Sequence, residues 1–204
     1  MKEQLKKELA KIVRGINRKG WSPATSTNYS FRLEDEPNSI VVSRSGVDKA
    51  YFTKADFIEV DRKGKPLPLF FEQRPSAETL IHCTLYNLFP TTQVILHSHS
   101  VYPVLWSLKE EKEIIFHGYE VQKGFTGEAS HLDEVRIPIL ENNQDMDEFS
   151  TWMNSKASLF KHHCFIIKGH GTYAWGKTLF EAKRHLETLD YLCELEWKRN
   201  LETR

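Results

Sequence analysis

Two hundred and four residues carry 28 basic and 28 acidic side chains, so the formal net charge is zero. That balance argues against a general nucleic-acid or membrane surface, which needs a basic excess, and leaves room only for a local basic pocket. Forty per cent apolar residues suffice for the core of one domain; three widely spaced cysteines (Cys83, Cys164 and Cys193) with no CxxC pair rule out a cysteine zinc finger and speak against a disulfide framework.

The opening MKEQLKKELAKIV is charged and helical in pattern, unlike a secretory signal, and no run is long and apolar enough to span a bilayer. A reducing cytoplasm is the expected compartment. Residues 3–19 read as an amphipathic helix, with Leu5, Leu9, Ile12, Val13 and Ile16 at the helical period and Gly20 as its stop. From Asn28 to Leu33 the pattern alternates as in a strand, with Tyr29, Phe31 and Leu33 on one face, and Ile40-Val41-Val42 reads as a second short strand. Arg62-Lys63-Gly64-Lys65 marks a turn between two strands within 56–69. A helix follows Arg74-Pro75-Ser76, with Leu80, Ile81, Leu85 and Leu88 along one side. Val94-Ile95-Leu96 is a buried strand running into His97-Ser98-His99. Further strands are expected at 135–140, 164–167 and 172–175. Thr178 followed by Glu181 is a capping box opening a C-terminal helix that lines up Leu186, Leu189, Leu192 and Cys193. No repeat or linker divides the chain. The expectation is a single domain over 1–204 of mixed α/β structure, α+β in type, with a central, mostly antiparallel sheet flanked by helices.

Residues two apart in a strand point to the same side, so His97 and His99 can converge on one ion at about 2 Å each. His170 is the best third donor, because the flanking Gly169 and Gly171 let the backbone turn sharply and approach closely. Three imidazoles with one open position is a catalytic metal arrangement. HxH alone is a weak signal, and the competing reading is a pair of hydrogen-bonded core histidines with a turn histidine. His82 and His185 fall inside helical patterns as packing or interface residues; His117, His131, His162 and His163 fall in or near loops.

Motifs extending over almost the whole chain carry a resemblance. They are Gly20-Trp21-Ser22-Pro23-Ala24-Thr25-Ser26, Ser45-Gly46-Val47-Asp48-Lys49, Asp56-Phe57 with Val60-Asp61, Arg74-Pro75-Ser76-Ala77-Glu78-Thr79 and His97-Ser98-His99-Ser100. After them come Gly118-Tyr119-Glu120-Val121-Gln122-Lys123, Ile137-Pro138-Ile139 and the segment from Gly169 to Gly176. In order and spacing they resemble the class II aldolase/adducin family. The first motif, the Gly118–Lys123 segment and Tyr173-Ala174-Trp175-Gly176 point to its dehydratase branch.

The resemblance implies one zinc ion per subunit on His97, His99 and His170, with Glu120 as the acid/base carboxylate. It implies a phosphate pocket of Ser26, Asn28, Ser45, Gly46 and Ser76, and a role for Glu78 as metal ligand, base or substrate-side group. Lys49 adds charge there or is an ordinary surface lysine. The implied reaction is dehydration of 5-methylthioribulose 1-phosphate in methionine salvage, by a homotetramer with its active site near a subunit boundary. An aldolase or epimerase acting on another sugar phosphate, and a non-catalytic adducin-like interaction module, stay open, as does the identity of the divalent metal, since imidazole suits several. One departure stands out: the family pattern Ser-Gly-Asn is Ser26-Thr27-Asn28 here. Threonine adopts positive φ only at a cost, so either the loop avoids that conformation or its phosphate contacts differ.

Overall fold

The computed structural model describes residues 1–36, 38–109 and 112–202. Helix α1 (Lys2–Arg18) leads into strands β1 (Tyr29–Arg32), β2 (Ile40–Ser43) and β3 (Phe57–Val60). Helix α2 (Thr79–Leu88) precedes β4 (Val94–Ser98), α3 (Val101–Ser107), β5 (Glu113–Phe116) and β6 (Val135–Leu140). Helix α4 (Met146–Ser155), β7 (Cys164–Ile167), β8 (Gly171–Gly176) and α5 (Leu179–Glu202) complete the order. The strands form one sheet in the order β3-β2-β1-β4-β8-β7-β6-β5, antiparallel except for the parallel β6–β7 pair. The expected sheet architecture is therefore present, with helices on both faces.

Double coverage explains the apolar runs. Val94 and Leu96, with Tyr29, Phe31, Cys164 and Ile166, pack towards α1, α3 and α5. Ile95, Phe165, Ile167, Tyr173 and Trp175 pack towards α2 and α4. A strand buried on both sides needs apolar residues at every position, so β4 and β7 read as unbroken runs. Each such fully buried side chain contributes about 1.5–3 kcal/mol relative to exposure.

Some local expectations change. Beyond the 62–65 turn there is no second strand, only a bridge between Val60 and Pro66 and then a 3-10 turn over Pro68–Phe70. Pro66 and Pro68 have no N–H to give a ladder. The capping box is half formed: Thr178 Oγ1 accepts from Glu181 N, but the Glu181 carboxylate takes Lys177 N at 2.6 Å. Helices α3 and α4, strand β5 and the 3-10 turn Glu120–Gly124 have no signal strong enough to read from the sequence; α3 is only seven residues long, with a proline inside it.

No helix among the described residues is long and apolar enough to cross a membrane. The three cysteines are buried and unbridged.

Candidate metal centre

The antiparallel register of β4 and β8 sets His97 opposite Tyr173 and Ser98 opposite Thr172. His97 lies on the sheet face of Ile95, and its ring stacks on Tyr173 at 4.2 Å. Its Nδ1–H donates to the Thr172 carbonyl at 2.9 Å, which leaves the Nε2 lone pair free. That Nε2 meets His99 Nε2 at 2.9 Å, and His170 closes the triangle at ring-centroid distances of 5.0 and 4.8 Å from the other two. One ligand atom from each of the three lies within 4.8 Å of the rest. The two glycines have separate jobs. Gly169 turns the chain with φ +63°, and its N–H is held by Ser107 Oγ at 2.9 Å. A Cβ on Gly171 would stand 2.2 Å from the Ser98 carbonyl oxygen and 2.8 Å from the His99 ring, so only glycine lets β8 pass this close.

The donor set fits a divalent ion. Burial depresses the His97 pKa well below its usual value and that of His99 to about 4, so both rings are neutral with lone pairs available. A fourth group stands beside them: Glu78 Oε1 is 3.0 Å from His170 Nε2 and Oε2 is 3.5 Å from His97 Nε2. Burial works to raise the Glu78 pKa, but hydrogen bonds to His170 and Tyr173 hold the carboxyl far below the usual range.

Sequence reasoning missed what positions Glu78. Its Oε2 accepts from the Tyr173 hydroxyl at 2.8 Å and from Asn28 Nδ2 at 2.6 Å. Asn28 Oδ1 in turn accepts from His82 Nε2, and His82 Nδ1 accepts from Ser30 Oγ, which also meets the Tyr86 hydroxyl. His82, expected as a packing residue, is thus a positioning residue for Asn28. No spacing rule reveals this, because the pairs lie 50 to 95 positions apart. His185 keeps its packing role, bonding to the Trp175 carbonyl and to Thr126.

Burial lowers both His82 and His185 from 6.5 to about 4. Between those values the unfolded chain binds protons that the folded one refuses, so stability is complete above about pH 6.5 and falls as pH drops towards 4. Each histidine removes roughly 3 kcal/mol over that window. A melting temperature that falls steeply between about pH 7 and pH 4.5 is the expected result; an unchanged one would mean that the buried rings are already charged.

Three loops meet beside Glu78. An Arg44–Pro75 bridge sets Ser45 and Gly46 against Ser76, and Ser76 Oγ accepts from Asn28 Nδ2 at 3.2 Å and from Glu78 N at 3.3 Å. The Ser26 hydroxyl is turned to the Pro23 carbonyl. Thr27 adopts φ +71°, so the loop does take the conformation that the family pattern meets with glycine. Such strain costs on the order of 1–3 kcal/mol, and the 2.8 Å contact of Thr27 Oγ1 with the Tyr29 hydroxyl helps hold it. Lys49 is not a surface lysine. It is buried, donates to the Thr25 and Val47 carbonyls, and burial lowers its pKa to about 8. Its charge thus lies under the loops.

Glu120 stands apart. Its side chain is 71% exposed, and its charge partners are Lys123 at 2.6 Å and His131 at 3.6 Å; none of the three histidines is among them.

The family model described as the class II aldolase and adducin N-terminal domain matches residues 7–197. The chain is 46% identical over 195 residues to a methylthioribulose-1-phosphate dehydratase of Picosynechococcus sp., covering 94% of this chain and 91% of that one. A methylthioribulose-1-phosphate dehydratase of Yersinia enterocolitica is 41% identical, with 91% and 88% covered. Among solved structures, l-fuculose-1-phosphate aldolase from Thermus thermophilus superposes with TM-score 0.79 at 21% identity, over 100% of this chain and 98% of that one, a likeness of fold.

Proposed function

This chain belongs to the class II aldolase and adducin N-terminal domain family, and we propose that it is a hydro-lyase removing water from 5-methylthioribulose 1-phosphate to give 5-methylthio-2,3-dioxopentyl 1-phosphate, a step of methionine salvage. The observation that carries this is the 46% identity, over 94% of the chain, to a dehydratase of that name, on a chain that keeps all three histidines.

His97, His99 and His170 would hold the ion, which we take to be zinc. When bound, it supplies Lewis acidity to the substrate's C2 carbonyl oxygen and so acidifies the C3 proton. The chain's own groups do the rest. Ser45, Gly46 and Ser76 offer hydroxyl and N–H donors to the phosphate, with Ser26 and Asn28 beside them and the Lys49 charge beneath; a phosphate held at this distance fixes the sugar's register. Glu78, kept ionised and oriented by Tyr173 and Asn28, faces the substrate hydroxyls. Glu120 takes the C3 proton and returns one to the departing C4 hydroxyl, which leaves as water. The C3 enol then ketonises by protonation at C4. Since Glu120 is exposed and turned to Lys123 and His131, we assign it to the site of a neighbouring copy, in a homotetramer whose active sites lie at subunit boundaries.

Incubation of the purified protein with 5-methylthioribulose 1-phosphate is the direct test. The expected product is a single diketo phosphate lighter by one water. Two carbon fragments would identify an aldolase instead, and an unchanged carbon chain with inverted stereochemistry an epimerase. Protein that purifies without metal and acts on no ketose phosphate would support an interaction module.

A further inference from the structure

The metal centre and the phosphate loops seat one end and the middle of a five-carbon phosphate, and leave its other end without a place. A cavity of about 280 Å³ opens beside His99, His170 and Glu78, and Ser45, Gly46 and Ser76 do not line it. Part of its lining is apolar: Ile81, Phe149 and Ile167 are nearly fully buried, and Met146 is half-buried against the same core. The Phe149 ring is held in place by stacking on Trp152 at 6.4 Å and 14°. Four apolar side chains in one lining with two imidazoles and a carboxylate call for a ligand that is polar at one end and apolar at the other.

Charge decides which end enters. The cavity's rim runs through Asn142, Asn143 and Gln144 to the start of α4. There Asp145 caps the helix by accepting from Asp147 N and Glu148 N, with both acidic residues in the first turn and Glu141 just ahead of the rim. The helix N-terminus is therefore already satisfied by carboxylates, and a phosphate here would meet like charge. The Lys49 ammonium, by contrast, is not in this cavity's lining and is held by the Thr25 and Val47 carbonyls, next to Ser26 and Gly46. The phosphate goes to the lysine side, and the uncharged end points into the apolar wall. A thioether suits such a wall, because polarizable sulfur packs well against aromatic rings and methionine.

We propose that Ile81, Met146, Phe149 and Ile167 form the seat of the substrate's methylthio end and set the enzyme's preference for it. This rests on the dehydratase reading above. The test compares kcat/KM for 5-methylthioribulose 1-phosphate with that for the 5-deoxy analogue, in which hydrogen replaces the methylthio group. The intact enzyme is expected to prefer the methylthio substrate by about 10–200-fold, the range a small apolar group confers in a fitted pocket. Met146→Glu, at a half-buried position, is expected to cut that preference to a few-fold, mainly through KM for the methylthio substrate, with metal content and melting temperature kept. Phe149→Leu, which nearly conserves volume, gives a second reading should Met146→Glu fail to fold, with the preference again reduced. If the intact enzyme dehydrates the methylthio substrate without preference, or both variants keep the full preference, the seat is overturned and the dehydratase reading stands. If the intact enzyme dehydrates neither compound, both fall together.

Discussion

His170→Ala is expected to leave a folded protein that has lost its metal and nearly all of its activity, with kcat/KM down by about a thousandfold or more. The Lewis-acid contribution of a bound divalent ion is several kcal/mol, and each 1.36 kcal/mol is tenfold in rate. Folding should survive, because His170 sits in the turn between β7 and β8, and the backbone bond from its N–H to the Ile167 carbonyl does not need the ring. With two imidazoles left, the site drops below the three protein ligands of a catalytic centre. Metal analysis of purified wild type and variant, with the dehydratase assay on each, checks this. A variant with full metal content and near-normal turnover would remove His170 from the ligand set. The same comparison separates the enzyme from an interaction module, for which wild type and variant would be equally free of metal.

Glu120→Gln is expected to keep the metal and the fold and to lose about 10²–10⁴ in kcat, the usual contribution of a positioned acid/base. The side chain is exposed, and the hydrogen bond from Lys123 holds its carboxyl below the ordinary range, so at neutral pH it is an ionised base. Its charge partners within its own chain are Lys123 and His131 and not the three histidines, which leads to a second expected result. Co-expressing Glu120→Gln with His170→Ala should restore activity at mixed boundaries. One copy then supplies the intact histidines and its neighbour the intact carboxylate. Random assembly makes about a quarter of all boundaries of this kind, so about a quarter of wild-type activity should return. If Glu120 served its own chain's site, no mixture would recover. If Glu120→Gln alone turned over at the wild-type rate, the acid/base role would belong elsewhere, with Glu78 next in line.

Residues read from the sequence and residues met only in the fold differ in kind. The helix at the N-terminus, the doubly buried strands, and the three histidines with their two glycines were all legible from local pattern, because hydrophobic period and turn chemistry act over a few positions. Local pattern gives Tyr173 no role beyond its motif; its stacking on His97 and its bond to Glu78 follow from the register of β4 against β8. His82 has the local pattern of a packing histidine, and only the packing of α2 against β1, where Ser30 meets His82 and Tyr86, sets it on Asn28. Lys49 had the composition of a surface residue, and the folding of two loops over it buried the ammonium and lowered its pKa. Thr27 shows the limit from the other side. Its residue type argues against positive φ, yet the loop between two anchored neighbours imposes it.

By itself, then, the sequence pointed to the three clustered histidines, the kind of sheet and the family. Tertiary structure alone decided how Glu78 is aimed, which apolar side chains line the cavity beside it, and that the exposed Glu120 has Lys123 and His131 as its charge partners. The physical reason is distance along the chain. Partners 50 to 95 positions apart meet only through strand register and helix packing, and these are settled by the whole core at once.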